Sequence, residues 1–99
     1  MELKLSVLIP MYNEEKTAVD TAASLTAFLD KKFPGGDYEI LFSNDGSRDR
    51  CAELVEKAAF PHVRVVGYPD NRGKGSAIRE GIFQCKGEAI VYTDCDLAY

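Results

Sequence analysis

The strongest constraint on this chain is a hydrophobic period that switches back and forth along its length. Short apolar runs alternate with stretches whose apolar residues recur at helical spacing. Residues 3–9 form an apolar run that Pro10 closes, and they read as a strand. Across 16–32, Ala18, Val19, Ala22, Ala23, Leu25, Ala27, Phe28 and Leu29 cover one broad helical face, which Pro34-Gly35-Gly36 ends. Residues 38–42 are a second strand, running into Ser43-Asn44-Asp45-Gly46. Ser47 then has the chemistry of an N-cap for a helix over 48–59 that turns Cys51, Leu54, Val55 and Ala58 inward. Pro61 ends that helix, and 63–66 read as a third strand. A polar loop over 69–74 leads into a helix over 75–85 with Ala77, Ile78, Ile82 and Phe83 on one side. Lys86-Gly87 stops it, and a fourth strand over 89–92 leads to Thr93-Asp94-Cys95-Asp96.

The order βαβαβαβ predicts an α/β fold. Strands joined by helices run parallel, and the crossovers are right-handed. A parallel sheet is covered by helices on both faces, which accounts for strands that read as nearly continuous apolar runs. The expected strand order is 3-2-1-4, a Rossmann-like sheet. Composition agrees with a folded domain: 45% of the 99 residues are hydrophobic and 28% charged. The length makes one domain or part of one.

Twelve basic against 16 acidic residues give a net charge of −4, which argues against a nucleic-acid binder. No apolar run approaches the ~20 residues that span a bilayer. The first residues, Met1-Glu2-Leu3-Lys4, lack the features of a signal peptide. The cysteines, Cys51, Cys85 and Cys95, are odd in number and form no Cys-x-x-Cys pair. A disulfide framework or zinc site is therefore not expected, and a cytoplasmic location is. Cys51 and Cys85 fall on apolar helical faces and are expected in the core. His62 has no second His or Cys near it and is expected at the surface.

Open parallel sheets bind ligands beyond the carboxyl ends of their strands, where strand order reverses. In the order 3-2-1-4, the turns after strands 1, 2 and 4 lie side by side at spacings of about 4.8 Å. Those turns hold the polar clusters of the sequence. Asp94 and Asp96 are two apart in an extended segment and share a side. They make either a hard-oxygen site for a divalent cation or the cap of a polar turn. In Asn71-Arg72-Gly73-Lys74-Gly75-Ser76, two glycines allow backbone amides to approach a phosphate, with Arg72, Lys74 and Arg79 supplying positive charge; the alternative is a solvated turn. The loop is neither a Walker A loop nor a dinucleotide fingerprint, because Tyr68, Gly75 and Ile78 stand where those motifs need other residues. Tyr12 offers an aromatic face suited to a nucleobase. Glu14 and Glu15 suit the positive end of the following helix. Asp45 is able to accept a hydrogen bond from a base N–H, and Asp-Gly is equally a strong turn dipeptide.

In this order on this topology, these stretches resemble one family. Leu5-Ser6-Val7-Leu8-Ile9-Pro10-Met11-Tyr12-Asn13-Glu14-Glu15, Asn44-Asp45-Gly46-Ser47-Arg48-Asp49, the 71–81 segment and Thr93-Asp94-Cys95-Asp96-Leu97 are similar to the N-terminal half of family 2 inverting glycosyltransferases of the GT-A fold. The nearest branch is that of polyprenyl-phosphate (dolichyl-phosphate) glucosyl- and mannosyltransferases. The resemblance implies that Pro10, Tyr12 and Glu14 line a nucleotide pocket and that Asp45 binds the base. It implies that Arg72 and Lys74 help form the donor pocket, and that Asp94 and Asp96 hold Mg²⁺ or Mn²⁺ on the diphosphate. The implied donor is a UDP- or GDP-linked sugar, and the implied acceptor is a polyprenyl phosphate at the cytoplasmic face of a membrane. Asn44 stands where the family commonly has an acid, and Cys95 where alanine is common; cysteine is a poor ligand for Mg²⁺ and is expected to pack.

The family's catalytic carboxylate and acceptor site follow the Asp-x-Asp pair, so no catalytic residue is expected among these 99. Residues 1–99 are thus expected to be a nucleotide-sugar-binding half, inactive alone, whose fourth strand leaves an edge open to self-association. Two other layouts share a parallel sheet with acids at its strand ends. One is a nucleotidyltransferase-like enzyme, whose glycine-rich loop normally follows the first strand. The other is a non-enzymatic flavodoxin-like module.

Overall fold

The computed structural model describes residues 3–95. Along the chain run β1 (Leu3–Met11), α1 (Ala18–Lys32), β2 (Tyr38–Asp45), α2 (Cys51–Ala58), β3 (Val63–Tyr68), α3 (Lys74–Gln84) and β4 (Gly87–Tyr92). The strands form one parallel sheet in the order β3-β2-β1-β4. The alternating periods predict this order of elements, and the strands take the expected order 3-2-1-4.

Side-chain alternation divides the sheet between two helical layers. Val7, Ile9 and Met11 of β1 and Tyr38, Ile40 and Phe42 of β2 pack with Ala18, Ala22 and Leu29 of α1 and with Cys51 and Val55 of α2. The residues between them point the other way, toward α3. There Leu8 meets Gly81 so closely that a Cβ on Gly81 would lie 2.1 Å from Leu8 Cδ1. Helices therefore cover both faces, and the central strand β2 is buried along almost its whole length.

The α3 face is not wholly apolar. Ser6, Glu39 and Ser43 are buried there. Ser43 Oγ donates to the Ala77 carbonyl at 2.7 Å, and Ser6 Oγ donates to Glu39 Oε2 at 2.6 Å. Glu39 also accepts from Arg64 Nε at 3.1 Å and from the Lys86 amide at 2.7 Å. Buried polar groups are tolerable because they are paired.

Several boundaries differ from the sequence reading, and three of them have a clear local reason. Pro10 does not close β1, which continues to Met11. The Leu8 carbonyl accepts from the Thr93 amide, so even-numbered residues of β1 turn their backbone toward β4, and that pairing ends at Leu8–Tyr92. The N–H that proline lacks would have had no ladder partner there. Ser47 is not the N-cap of α2. That helix starts at Cys51, whose amide donates to Asp49 Oδ1 at 3.0 Å, while Ser47 Oγ accepts from the Asn13 amide at 2.9 Å. Helix α1 begins at Ala18, because the Glu14 carbonyl takes the amides of Thr17 and Ala18 in a tight preceding turn.

Cys51 and Cys95 are buried and Cys85 is half-buried. His62 is half-buried, its ring 4.8 Å from that of Tyr38. β4 is the exception to the packing. It lies at the edge of the sheet with Ile90, Val91 and Tyr92 exposed. No helix among the described residues is long and apolar enough to cross a membrane.

Candidate functional site

A cleft of about 380 Å³ opens at the carboxyl edge of the sheet, a size within the range of about 300–1,000 Å³ usual for small-molecule sites. Pro10, Met11, Tyr12 and Glu14 reach it from the end of β1, and Asp45 from the end of β2. Asn71, Gly73, Lys74 and Ala77 form the wall made by the β3–α3 loop and the start of α3, and Asp94 enters from beyond β4. Neighbouring parallel strands bring these ends together, as the switch point between β1 and its two partners requires.

The floor is held by two interlocked turns. Asn13 takes a left-handed conformation with φ of 52°. Its amide donates to Ser47 Oγ, its Oδ1 accepts from the Arg48 amide at 2.8 Å, and Asp49 Oδ2 accepts from the Glu15 amide at 2.9 Å. The turn after β1 is thereby fastened to the turn after β2, which fixes where Tyr12 and Glu14 project. Tyr12 is 42% exposed, leaving an aromatic surface at the cleft. Glu14 Oε2 accepts from Thr17 Oγ1 at 3.1 Å.

Asp45, only 4% exposed, is the most heavily bonded side chain of the cleft. Its Oδ1 accepts from the Tyr68 hydroxyl at 2.6 Å and from the Arg72 amide at 2.9 Å. Its Oδ2 accepts from Asn71 Nδ2 at 2.9 Å, and the Gly73 amide is shared between the two oxygens at 3.1 and 3.0 Å. Burial, then the hydrogen bond and negative charge of Asp45, pushes the Tyr68 hydroxyl up to about 12. It therefore stays a donor at any physiological pH.

Lys74 and Asp94 face each other across the opening, Nζ to Oδ1 at 2.6 Å, with side chains 58% and 52% exposed. Arg72 does not line the cleft. Its guanidinium lies 4.6 Å over the Tyr68 ring and pairs with Asp70 at 3.0 Å, so only its backbone serves the site. Arg79 bonds Ser76 Oγ at 3.3 Å. Asp96 lies outside the described residues.

The donor chemistry beyond β4 suits a hard cation. Asp94 offers carboxylate oxygen, while the Cys95 side chain is buried in the core, where loss of hydration pushes its thiol up to about 12. A soft sulfur ligand is thus kept away, and Mg²⁺ or Mn²⁺ fits better than a thiophilic metal. Among the described residues no group of three or more His, Cys, Asp or Glu could enclose a metal. A cation here would be held by one or two carboxylates together with ligand phosphates, as Mg²⁺ commonly is.

Six of the residues singled out from sequence, Pro10, Tyr12, Glu14, Asp45, Lys74 and Asp94, thus line one cleft. Sequence reasoning missed the part played by Tyr68. Its signal is register: β2–β3 pairing sets Tyr68 directly beside Asp45, which becomes visible only once the strands are aligned.

The profile of glycosyl transferase family 2 matches residues 6–99. A human protein named dolichyl-phosphate beta-glucosyltransferase is 40% identical over 100 residues, covering 94% of this chain and 31% of its own length. The chain therefore spans about a third of that relative. Among solved structures, residues 1–349 of S. aureus TarS in complex with UDP-GlcNAc superpose with a TM-score of 0.82 at 29% identity, over 95% of this chain and 27% of that one. The mannosyltransferase PcManGT from Pyrobaculum calidifontis, in complex with GDP-Man and Mn²⁺, shares the fold with a TM-score of 0.81 at 23% identity, over 97% and 28% of the two chains.

Proposed function

Because the chain belongs to glycosyl transferase family 2, we propose that its cleft is the donor half of a glycosyltransferase site, taking a UDP- or GDP-linked sugar together with Mg²⁺ or Mn²⁺. The observation that carries this reading is the convergence of Tyr12, Asp45, Lys74 and Asp94 on one cleft at the carboxyl edge of the sheet. The relative that binds UDP-GlcNAc and the fold neighbour that holds GDP-Man with Mn²⁺ support it. Neither a nucleotidyltransferase-like enzyme nor a flavodoxin-like module accounts for the family match.

The base stacks on Tyr12 above Pro10, with Asp45 beneath the same end of the cleft. The diphosphate lies toward Lys74 and Asp94, and Asp94 with Asp96 would hold the cation. When bound, such a cation neutralises charge on the departing nucleoside diphosphate. Lys74, released from its ion pair when Asp94 turns to the cation, adds a second positive charge for the diphosphate. The transfer is an inverting, in-line attack on the sugar C1. The acceptor is a polyprenyl phosphate, as the name of the human relative supports. Its oxygen is already anionic, so the attack needs no general base. The catalytic and acceptor residues lie outside this chain, which is the nucleotide-sugar-binding half and is inactive alone. The whole protein works at the cytoplasmic face of a membrane.

An amide chemical-shift titration with UDP and with GDP, each with and without Mg²⁺, tests the donor site. Shifts at Tyr12, Asp45 and Lys74 are expected to saturate, and the Mg²⁺-dependent part is expected to vanish in Asp94→Ala. A folded chain whose cleft resonances ignore both nucleotides would overturn the reading.

A further inference from the structure

Asp45 and Tyr68 end neighbouring strands, and β2–β3 pairing sets them side by side. Gly67 allows the approach: its φ is +145°, and a Cβ there would stand 2.2 Å from the Asn44 carbonyl oxygen. The Tyr68 hydroxyl then donates to Asp45 Oδ1 at 2.6 Å. The ring behind that hydroxyl is held in turn, with the Arg72 guanidinium 4.6 Å over its face and paired with Asp70.

The two oxygens of Asp45 are not equivalent. Each carboxylate oxygen offers about two acceptor positions. Oδ1 accepts from the Tyr68 hydroxyl and the Arg72 amide, and it shares the Gly73 amide as well. Oδ2 accepts from Asn71 Nδ2 and shares the Gly73 amide. Asn71 is exposed, so its amide turns to water at little cost when another donor arrives. A base N–H at the Tyr12 end of the cleft therefore finds its place at Oδ2. The donors also differ in what carries them. Asn71, Arg72 and Gly73 belong to the loop before α3, whereas Tyr68 closes β3 and is carried by the sheet. Its bond fixes the plane of the carboxylate independently of the loop.

On the donor-site reading above, which it deepens, we propose that Tyr68 is a positioning residue for base recognition: its hydroxyl holds Asp45 Oδ1 and so presents Oδ2 to the N–H of the nucleobase. Without the hydroxyl, Oδ1 has an open acceptor position and the carboxylate is held by the loop alone. The base N–H then meets an acceptor that is no longer aimed at it.

Tyr68→Phe tests this, because it keeps the ring beneath Arg72 and removes only the hydroxyl. Affinities are measured calorimetrically with Mn²⁺ for UDP and N3-methylated UDP, and for GDP and N1-methylated GDP. The methylated forms lack the base N–H and keep the sugar and diphosphate. The wild type is expected to prefer the unmethylated form of the base it takes. In Tyr68→Phe that preference is expected to shrink about tenfold, the scale of a hydrogen bond to a charged group, while the methylated form binds within about twofold of wild type. Equal weakening of both forms would show that Tyr68 only shapes the cleft, and would overturn the proposal. So would an unchanged preference, or a stronger one, which would make the hydroxyl a competitor of the base. A second arm needs no nucleotide. Three-bond couplings that report the Asp45 χ1 angle are expected to show one rotamer in the wild type and averaging in Tyr68→Phe; one unchanged rotamer in both would count against the proposal. If the wild type binds neither UDP nor GDP, the donor-site reading fails and the role in base recognition with it, while the couplings still decide whether Tyr68 holds Asp45.

Discussion

At the scale of single residues, Lys74 separates what stabilises the fold from what serves the site. Its ion pair with Asp94 is short, but both partners are more than half exposed. Exposed pairs contribute about 0–1 kcal/mol. Lys74→Met is therefore expected to change the urea midpoint by less than the equivalent of about 1 kcal/mol. The same change removes the cation that faces the diphosphate, and UDP affinity measured calorimetrically with Mn²⁺ is expected to fall about tenfold. Equal loss of stability and affinity would contradict this division. Much of the site is legible at this scale, because Tyr12, Asp45, Lys74 and Asp94 are chemically distinctive residues at predicted strand ends. Their partners are not. The donors to Asp45 come from Tyr68 to Gly73, which the sequence presents as a strand end and a polar loop. Arg72 misleads for a related reason. Its charge invites a phosphate, yet Tyr68 and Asp70 lie within reach of its side chain and take it first.

At the scale of elements, buried Glu39 ties three strands and the α3–β4 connection together. It joins Ser6 on β1, Arg64 on β3 and the Lys86 amide, and the Gly87 amide donates in turn to Ser6 Oγ at 2.8 Å. These bonds pin the start of β4 against β1, and a slip of one residue there would turn every later side chain to the wrong face. Burial alone would raise the Glu39 pKa. The hydrogen bonds from Ser6 and Lys86 and the charge of Arg64 outweigh it, and the carboxyl is held below its ordinary value of 4.5. The unfolded chain thus takes up this proton at higher pH than the folded one. The stabilisation is complete above 4.5 and is lost as pH falls through the lower folded value. Glu39→Gln is expected to be less stable than wild type at pH 7, on the order of 1–3 kcal/mol, and to lose less stability on acidification. Urea midpoints at neutral pH and through the acid range check both, and parallel acid limbs would contradict the assignment. Gly81 makes the helix side of the same argument. Gly81→Ala drives a methyl into Leu8 and is expected to cost about 1–3 kcal/mol by lifting α3 from the sheet, read as a drop in Tm. Element type and order were legible because the hydrophobic period carries them. A carboxylate inside a buried strand was not, since only the assembled sheet shows which partners make Glu39 tolerable.

At the scale of the whole molecule, the burial that the parallel sheet promises reaches its centre and stops at β4. β2 is covered on both sides by helices, whereas β4 leaves Ile90, Val91 and Tyr92 exposed and, among the described residues, one backbone edge unpaired. Val91 also borders an apolar groove formed with Leu5, Val7, Leu25, Phe28 and Leu29 on the α1 side. An unpaired edge with apolar residues on both faces is a template for another strand. The 99-residue chain is therefore expected to self-associate reversibly, its sedimentation coefficient rising with concentration. Val91→Lys places a charge beside that edge, where burying it against a second copy would require desolvating an unpaired ammonium. The variant is expected to sediment as a monomer over the range in which wild type associates. The substitution leaves the residues that line the nucleotide cleft unchanged, so UDP binding should persist. A wild type that stays monomeric at every concentration, or a variant that associates equally well, would show that β4 is not the surface through which copies meet.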